Sequence, residues 1–156
     1  MSRQTAPTFA GLVQEFFTDY MVQQRALSQR TVASYRDTFV LLLRFAEDKL
    51  RLPAHGMTMA DLNARFLADF LDHLEAQRHN SVRSRNVRLA AVRAFLKFAA
   101  RRDLANLGVI ENALAVPMKR FERRTVGFVQ HEQMLAVIDV ASDTWIGQRD
   151  RLMLTL

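Results

Sequence analysis

Apolar residues recur at steps of three and four along most of the chain, the spacing of one helix face rather than of a strand. Phe9, Leu12, Val13, Phe16, Phe17, Tyr20 and Met21 mark a first helix to about residue 24, with Thr8 placed to cap it. Ala26-Leu27 makes a short turn. Ser28 then caps a second helix, roughly 29–50, whose stripe is Val32, Tyr35, Phe39, Leu42, Leu43, Ala46 and Leu50. Leu52-Pro53-Ala54-His55-Gly56 breaks the pattern, since Pro and Gly both end helices. A third helix falls between about 59 and 77, recapped at Asn63, with Phe66, Leu67, Phe70, Leu71 and Leu74 facing inward. His79-Asn80 is a turn, and Ser81 caps a fourth helix reaching about residue 102.

Residues 103–115 read as one or two short helical turns. Pro117 opens a basic, irregular stretch that reads as a linker over 117–130. Helical spacing returns through Met134, Leu135, Val137 and Ile138, and again through Leu152, Met153, Leu154 and Leu156. The organisation predicted is an all-α four-helix bundle over 1–116, a basic linker over 117–130, and one or two extra helices over 131–156. The last run is apolar and carries no stop signal, so 131–156 is expected to be the truncated beginning of a further domain.

Composition changes the picture in three places. About half of the 156 residues are apolar (49%), enough for a packed core and against wholesale disorder. The formal charge of +6 favours an anionic partner. With no cysteine, a disulfide framework and a thiolate metal site are excluded, which fits a cytoplasmic protein. No signal-peptide run is present, and the longest aliphatic/aromatic run, Phe39 to Leu43, is far below a membrane span.

Charge is distributed unevenly. Ser81 to Arg102 carries six Arg and one Lys and no acid. On a helical wheel Arg83, Asn86, Arg93, Lys97 and Arg101 fall on one strip, flanked by two apolar faces. Solvated helix faces ordinarily mix signs, so an acid-free face points to a polyanion, and nucleic acid is the commonest one. Ser28, Arg30, Thr31, Ser34 and Arg36 open the second helix, where free N–H groups and the helix dipole suit phosphate. The third helix is acidic through Asp61, Asp69, Asp72 and Glu75, and is expected to face away from DNA. Catalytic signals are weak. Asp69 and His73 are four apart with no third ligand, and there is no Gly-rich phosphate loop or nucleophile elbow. No metal or cofactor is expected. Tyr20 and Tyr35 lie on apolar stripes and read as core.

Three stretches together resemble a known family. Ser28-Gln-Arg-Thr-Val-Ala-Ser-Tyr35 leading to Leu42-Leu-Arg-Phe-Ala46 is similar to the second helix of the core-binding domain of tyrosine recombinases, the phage-integrase family. Ser81 to Phe98 looks like that domain's fourth helix, and Gly147 to Leu156 like the entry into the catalytic domain. The resemblance implies a SAM-like bundle that clamps one side of a recombination site, its second and fourth helices against the major groove of double-stranded DNA. It points to Arg30, Thr31, Ser34, Arg83, Ser84, Arg85 and Arg88 as DNA contacts, with Ser28 at the helix start. Lys119, Arg120, Arg123 and Arg124 would track the backbone. It also implies a parent integrase that works through a tyrosine–DNA intermediate, without metal or cofactor, alongside other recombinase protomers. The family's catalytic residues match nothing in this sequence, so the chain alone is expected to bind DNA and not cut it. A helical protein–protein interaction module with a basic face for an acidic partner is the alternative. A helix-turn-helix regulator fits the long helices poorly.

Overall fold

The computed structural model of the chain describes residues 7–121, 127, 130–140 and 144–155. Arg123, Arg124 and Leu156, and the side chains of Leu50, His131 and Leu154, fall outside the described residues. The architecture is all-α, and no strand occurs among the described residues. The chain divides into two compact units, residues 1–121 and 122–156.

In the first unit, α1 (Phe9–Glu15) starts at Thr8, whose Oγ1 accepts from the Gly11 N–H at 3.1 Å. The helix continues as a wider π-helical stretch, Phe16–Gln24, in which the Arg25 N–H reaches back to the Tyr20 carbonyl at 2.9 Å. Apolar spacing locates this helix correctly but cannot separate α from π winding, because both leave a similar stripe. Ala26 reverses the chain with φ 44°, a left-handed conformation that few non-glycine residues adopt. Ser28 caps α2 (Gln29–Leu50), and Asn63 caps α3 (Ala64–Ala76) by accepting from the Phe66 N–H at 3.0 Å. Residues 59–62 form turns, so α3 begins at the recapping position. Ser81 caps α4 (Val82–Ala99), and a short 3-10 turn (Leu104–Asn106) leads into α5 (Leu107–Leu114).

The core of this unit is aromatic. Phe39 of α2 and Phe95 of α4 lie with ring centroids 5.2 Å apart and nearly perpendicular planes. Phe16 closes on both, at 6.3 Å from Phe39 and 5.5 Å from Phe95. The two edge-to-face pairs, Phe39–Phe95 and Phe16–Phe95, add about 0.5–1.5 kcal/mol each beyond the area they bury. A second group joins α2 to α3, with Phe45 at 5.4 Å from Phe66 and 5.7 Å from Phe70. Both Tyr are half-buried and pack against this core, and Tyr20 stacks on Phe16 at 5.7 Å.

The second unit contains α6 (His131–Asp139) and α7 (Trp145–Thr155). Arg151 Nε donates to the Ile138 carbonyl, so the two helices pack on each other. Val137, Val140, Trp145, Ile146, Leu152 and Met153 remain exposed. No helix among the described residues is long and apolar enough to cross a membrane.

Phe95 is fully buried at the point where the π-helical stretch, α2 and α4 meet. Phe95→Ala is expected to cost about 3–5 kcal/mol of stability in a denaturant titration followed by circular dichroism.

Candidate nucleic-acid interface

The N-terminal halves of α2 and α4 line one open groove of about 460 Å³. Arg30 and Ser34 line it from α2; Arg83, Ser84 and Arg88 line it from α4. Arg30 and Arg83 are each the second residue of their helix, so both guanidiniums stand beside a helix N-terminus. Neither first turn contains an acid, which leaves the positive ends of both dipoles uncompensated. Asp37 is the one carboxylate lining the groove. Three guanidiniums (Arg30, Arg83, Arg88) against one carboxylate leave the lining at a net +2.

The caps account for much of the local hydroxyl chemistry. Ser28 Oγ accepts from the Thr31 N–H at 3.3 Å and shares a hydrogen bond with the Thr31 hydroxyl at 2.9 Å. Ser81 Oγ does the same for Ser84, at 3.2 Å to its N–H and 3.1 Å to its hydroxyl. Ser28 therefore stands at the start of α2 as a cap. Thr31 lies on the adjoining side of the helix, in a second groove of about 530 Å³ with Tyr35, Arg93 and Lys97.

Arg88 sits between these surroundings and the interior. Its Nε is shut off from solvent and has no hydrogen-bond partner among the described residues. Burial holds its guanidinium below the ordinary arginine value, the charge of Arg78 pushes the same way, and Asp37 opposes. An anion against its outer edge would relieve that repulsion.

Several basic residues are not where the acid-free face suggests. Arg85 is buried, at 5% exposure, with its Nε 3.8 Å from the Glu75 carboxylate and one guanidinium nitrogen 3.4 Å from Asn86 Oδ1. It is a core cation neutralised by α3 and does not reach the groove. Lys119 also pairs with Glu75. Asn86, expected on the basic strip, is buried and holds the Lys119 backbone at both ends. Its Nδ2 donates to the Lys119 carbonyl at 2.7 Å, and its Oδ1 accepts from the Lys119 N–H at 3.1 Å. Arg102 donates to Glu15 at 2.8 Å and lies over the Phe98 ring at 3.8 Å. A single-helix reading cannot see these acids because they arrive from other helices. α3 accordingly does not turn wholly away from the basic helices, since Glu75 faces α4. Its other acids, Asp69 and Asp72, line a separate groove with Asp48 and His73. No group of three or more metal-ligating side chains is assembled among the described residues. Arg120 is exposed, and Arg123 and Arg124 lie outside the described residues.

Residues 13–103 match the family described as phage integrase, N-terminal SAM-like domain. Two curated proteins of Sinorhizobium fredii (strain NBRC 101917 / NGR234) are similar along most of the chain. "Putative integrase/recombinase y4rC" is 39% identical over 94% of this chain and 45% of its own length. "Putative integrase/recombinase y4rD" is 34% identical over 93% of this chain and 52% of its own length. The chain thus spans about half the length of the curated relatives it matches. No solved structure matches it significantly.

Glu75 neutralises a buried guanidinium, and its loss would leave Arg85 unpaired away from water. Glu75→Gln is expected to destabilise the first unit by about 1–3 kcal/mol in urea unfolding. Arg83→Ala, on an exposed side chain, is expected to leave the unfolding midpoint within about 0.5 kcal/mol of the parent.

Proposed function

The chain belongs to the phage integrase N-terminal SAM-like family, and from that premise we propose that it is the DNA-clamping part of a tyrosine-type site-specific recombinase. The observation that carries this reading is the convergence of Arg30, Ser34, Arg83, Ser84 and Arg88 on one groove between two uncompensated helix N-termini. Such a groove suits phosphate, which takes charge from the guanidiniums and hydrogen bonds from the turn N–H groups. Arg and Ser beside those phosphates can reach base edges in a major groove.

In this reading the first unit supplies affinity and register on duplex DNA. The segment from Lys119 through Arg120, Arg123 and Arg124 leads along the backbone, and residues 131–156 begin the catalytic part. Bond breaking and rejoining is the work of groups outside this sequence. Neither tyrosine is offered as a nucleophile, since Tyr20 is engaged with Phe16 and Tyr35 lies on α2 beside the second groove. The partners are double-stranded DNA, met in the cytoplasm, and further recombinase protomers on the same site.

The test is binding of the chain to a labelled duplex across a range of salt. Counterion release makes log K fall linearly with log salt, by about 0.9 for each phosphate neutralised. Arg30→Ala and Arg83→Ala are each expected to lower that slope by about 0.9. A flat salt profile for the parent chain would remove the reading.

A further inference from the structure

Asp37 is a carboxylate set among the three guanidiniums of the groove between α2 and α4. It is exposed, and it forms no salt bridge with Arg30, Arg83 or Arg88. Other acids that meet the basic 81–102 stretch are spent on neutralising it, Glu75 on Arg85 and Glu15 on Arg102. Asp37 stays out of that pairing. It follows Arg30 and Ser34 at helical steps along α2, seven and three residues on, so one helix face delivers all three to the groove.

A carboxylate in a groove suited to phosphate works against affinity, because it repels each phosphate that approaches. What it offers is a pair of oxygens that accept hydrogen bonds and donate none. A fitting partner is an uncharged N–H donor that arrives together with the phosphates. On duplex DNA the major-groove donors are the N4 amino group of cytosine and the N6 amino group of adenine. Adenine sets its N7 acceptor beside N6, and that lone pair would face an oxygen that can only accept. Cytosine shows its amino group alone, with O6 and N7 of the paired guanine next to it. A carboxylate beside a guanidinium complements that row, acceptor against donor and donors against acceptors.

Arg88 supplies the guanidinium. It lines the same groove, and the charge of Asp37 acts on it directly. Arg88 is half-buried, whereas Arg30 and Arg83 are exposed at the helix starts and remain with the phosphates.

We propose that Asp37 is a specificity-determining residue, whose carboxylate accepts from cytosine N4 while Arg88 donates to the paired guanine, so that the groove selects a C·G pair. The proposal rests on the DNA-clamping reading and adds to it a base pair and a residue that reading does not use. Where an A·T pair stands instead, the carboxylate meets adenine N7 or thymine O4, and repulsion replaces the hydrogen bond.

The experiment is binding of the full chain to three labelled duplexes of equal length, alternating A–T, alternating G–C and alternating I–C. Inosine keeps the major-groove edge of guanosine and lacks its minor-groove amino group, so the I–C duplex differs from the A–T duplex in major-groove donors and acceptors alone. The parent is expected to bind I–C and G–C about fivefold more tightly than A–T, the low end for one base contact. Asp37→Ala should tighten the A–T complex and bring the three duplexes to a common affinity. Asp37→Asn, whose amide matches N6 and N7 of adenine, should move the preference to A–T. Both variants should keep the parent's melting temperature, because Asp37 is exposed. A preference for I–C that survives in both variants would overturn the role of Asp37. So would an equal gain on all three duplexes in Asp37→Ala, which would make Asp37 a general repelling charge. A preference for G–C without I–C would move the reading to the minor groove and overturn it as well. Equal parent affinity for I–C and A–T, with steep salt dependence intact, would remove the base selection and leave the clamp standing. A parent chain with no salt-dependent binding to any duplex would take away the reading beneath it.

Discussion

The contact of Phe39 with Phe95, closed from the side by Phe16, is the constraint on which the rest of the first unit depends. α2 and α4 each carry an arginine in a first turn that contains no acid. Their grooves exist because this aromatic junction fixes how the rods meet. Packed aromatic rings resist sliding, since a small displacement forfeits close contacts on every side. The position of Arg30 relative to Arg83 is therefore set by side chains that touch neither. The polar surface inherits its geometry from the apolar interior.

A second constraint is electrostatic. α4 is acid-free, yet two of its basic neighbourhoods are neutralised from elsewhere. Glu75 serves both Arg85 and Lys119, and Glu15 serves Arg102. The cations of the 81–102 stretch left without a salt bridge among the described residues are Arg83, Arg88, Arg93, Lys97 and Arg101; the first four line the two grooves, and Arg101 is exposed outside them. The division of labour along one helix is sharp. Some of its arginines hold the bundle and others are free to meet an anion, and tertiary contacts decide which is which. Asn86 adds to the first group by tying the backbone after α5 to the start of α4.

Much of this was legible in the amino-acid order. Helix positions follow from apolar periodicity and from Thr8, Ser28, Asn63 and Ser81, because a cap is a local interaction within three residues. The all-α class follows from the same spacing. Arg30 and Ser34 are legible from the start of α2 and Arg83 from the acid-free strip, both local signals, whereas Ser84 and Arg88 follow from the family resemblance. Arg85 and Asn86 could not be placed correctly. A wheel shows angle and not depth, and their partners lie on α3 and beyond α5. The π winding of Phe16–Gln24 and the left-handed Ala26 also left no trace in the pattern.

That winding has a consequence for how the chain tolerates change in length. A π segment holds more residues per turn than an α-helix, so deleting a single residue between Phe16 and Gln24 would let ordinary winding resume. The tighter winding would take up the lost residue, so the turns on either side would keep roughly their directions. The i−5 closures of this stretch, such as the Arg25 N–H on the Tyr20 carbonyl, would be exchanged for i−4 bonds. A lost codon here therefore alters the winding of one segment, whereas a lost codon inside α2 or α4 would turn everything beyond it by about 100° around the rod.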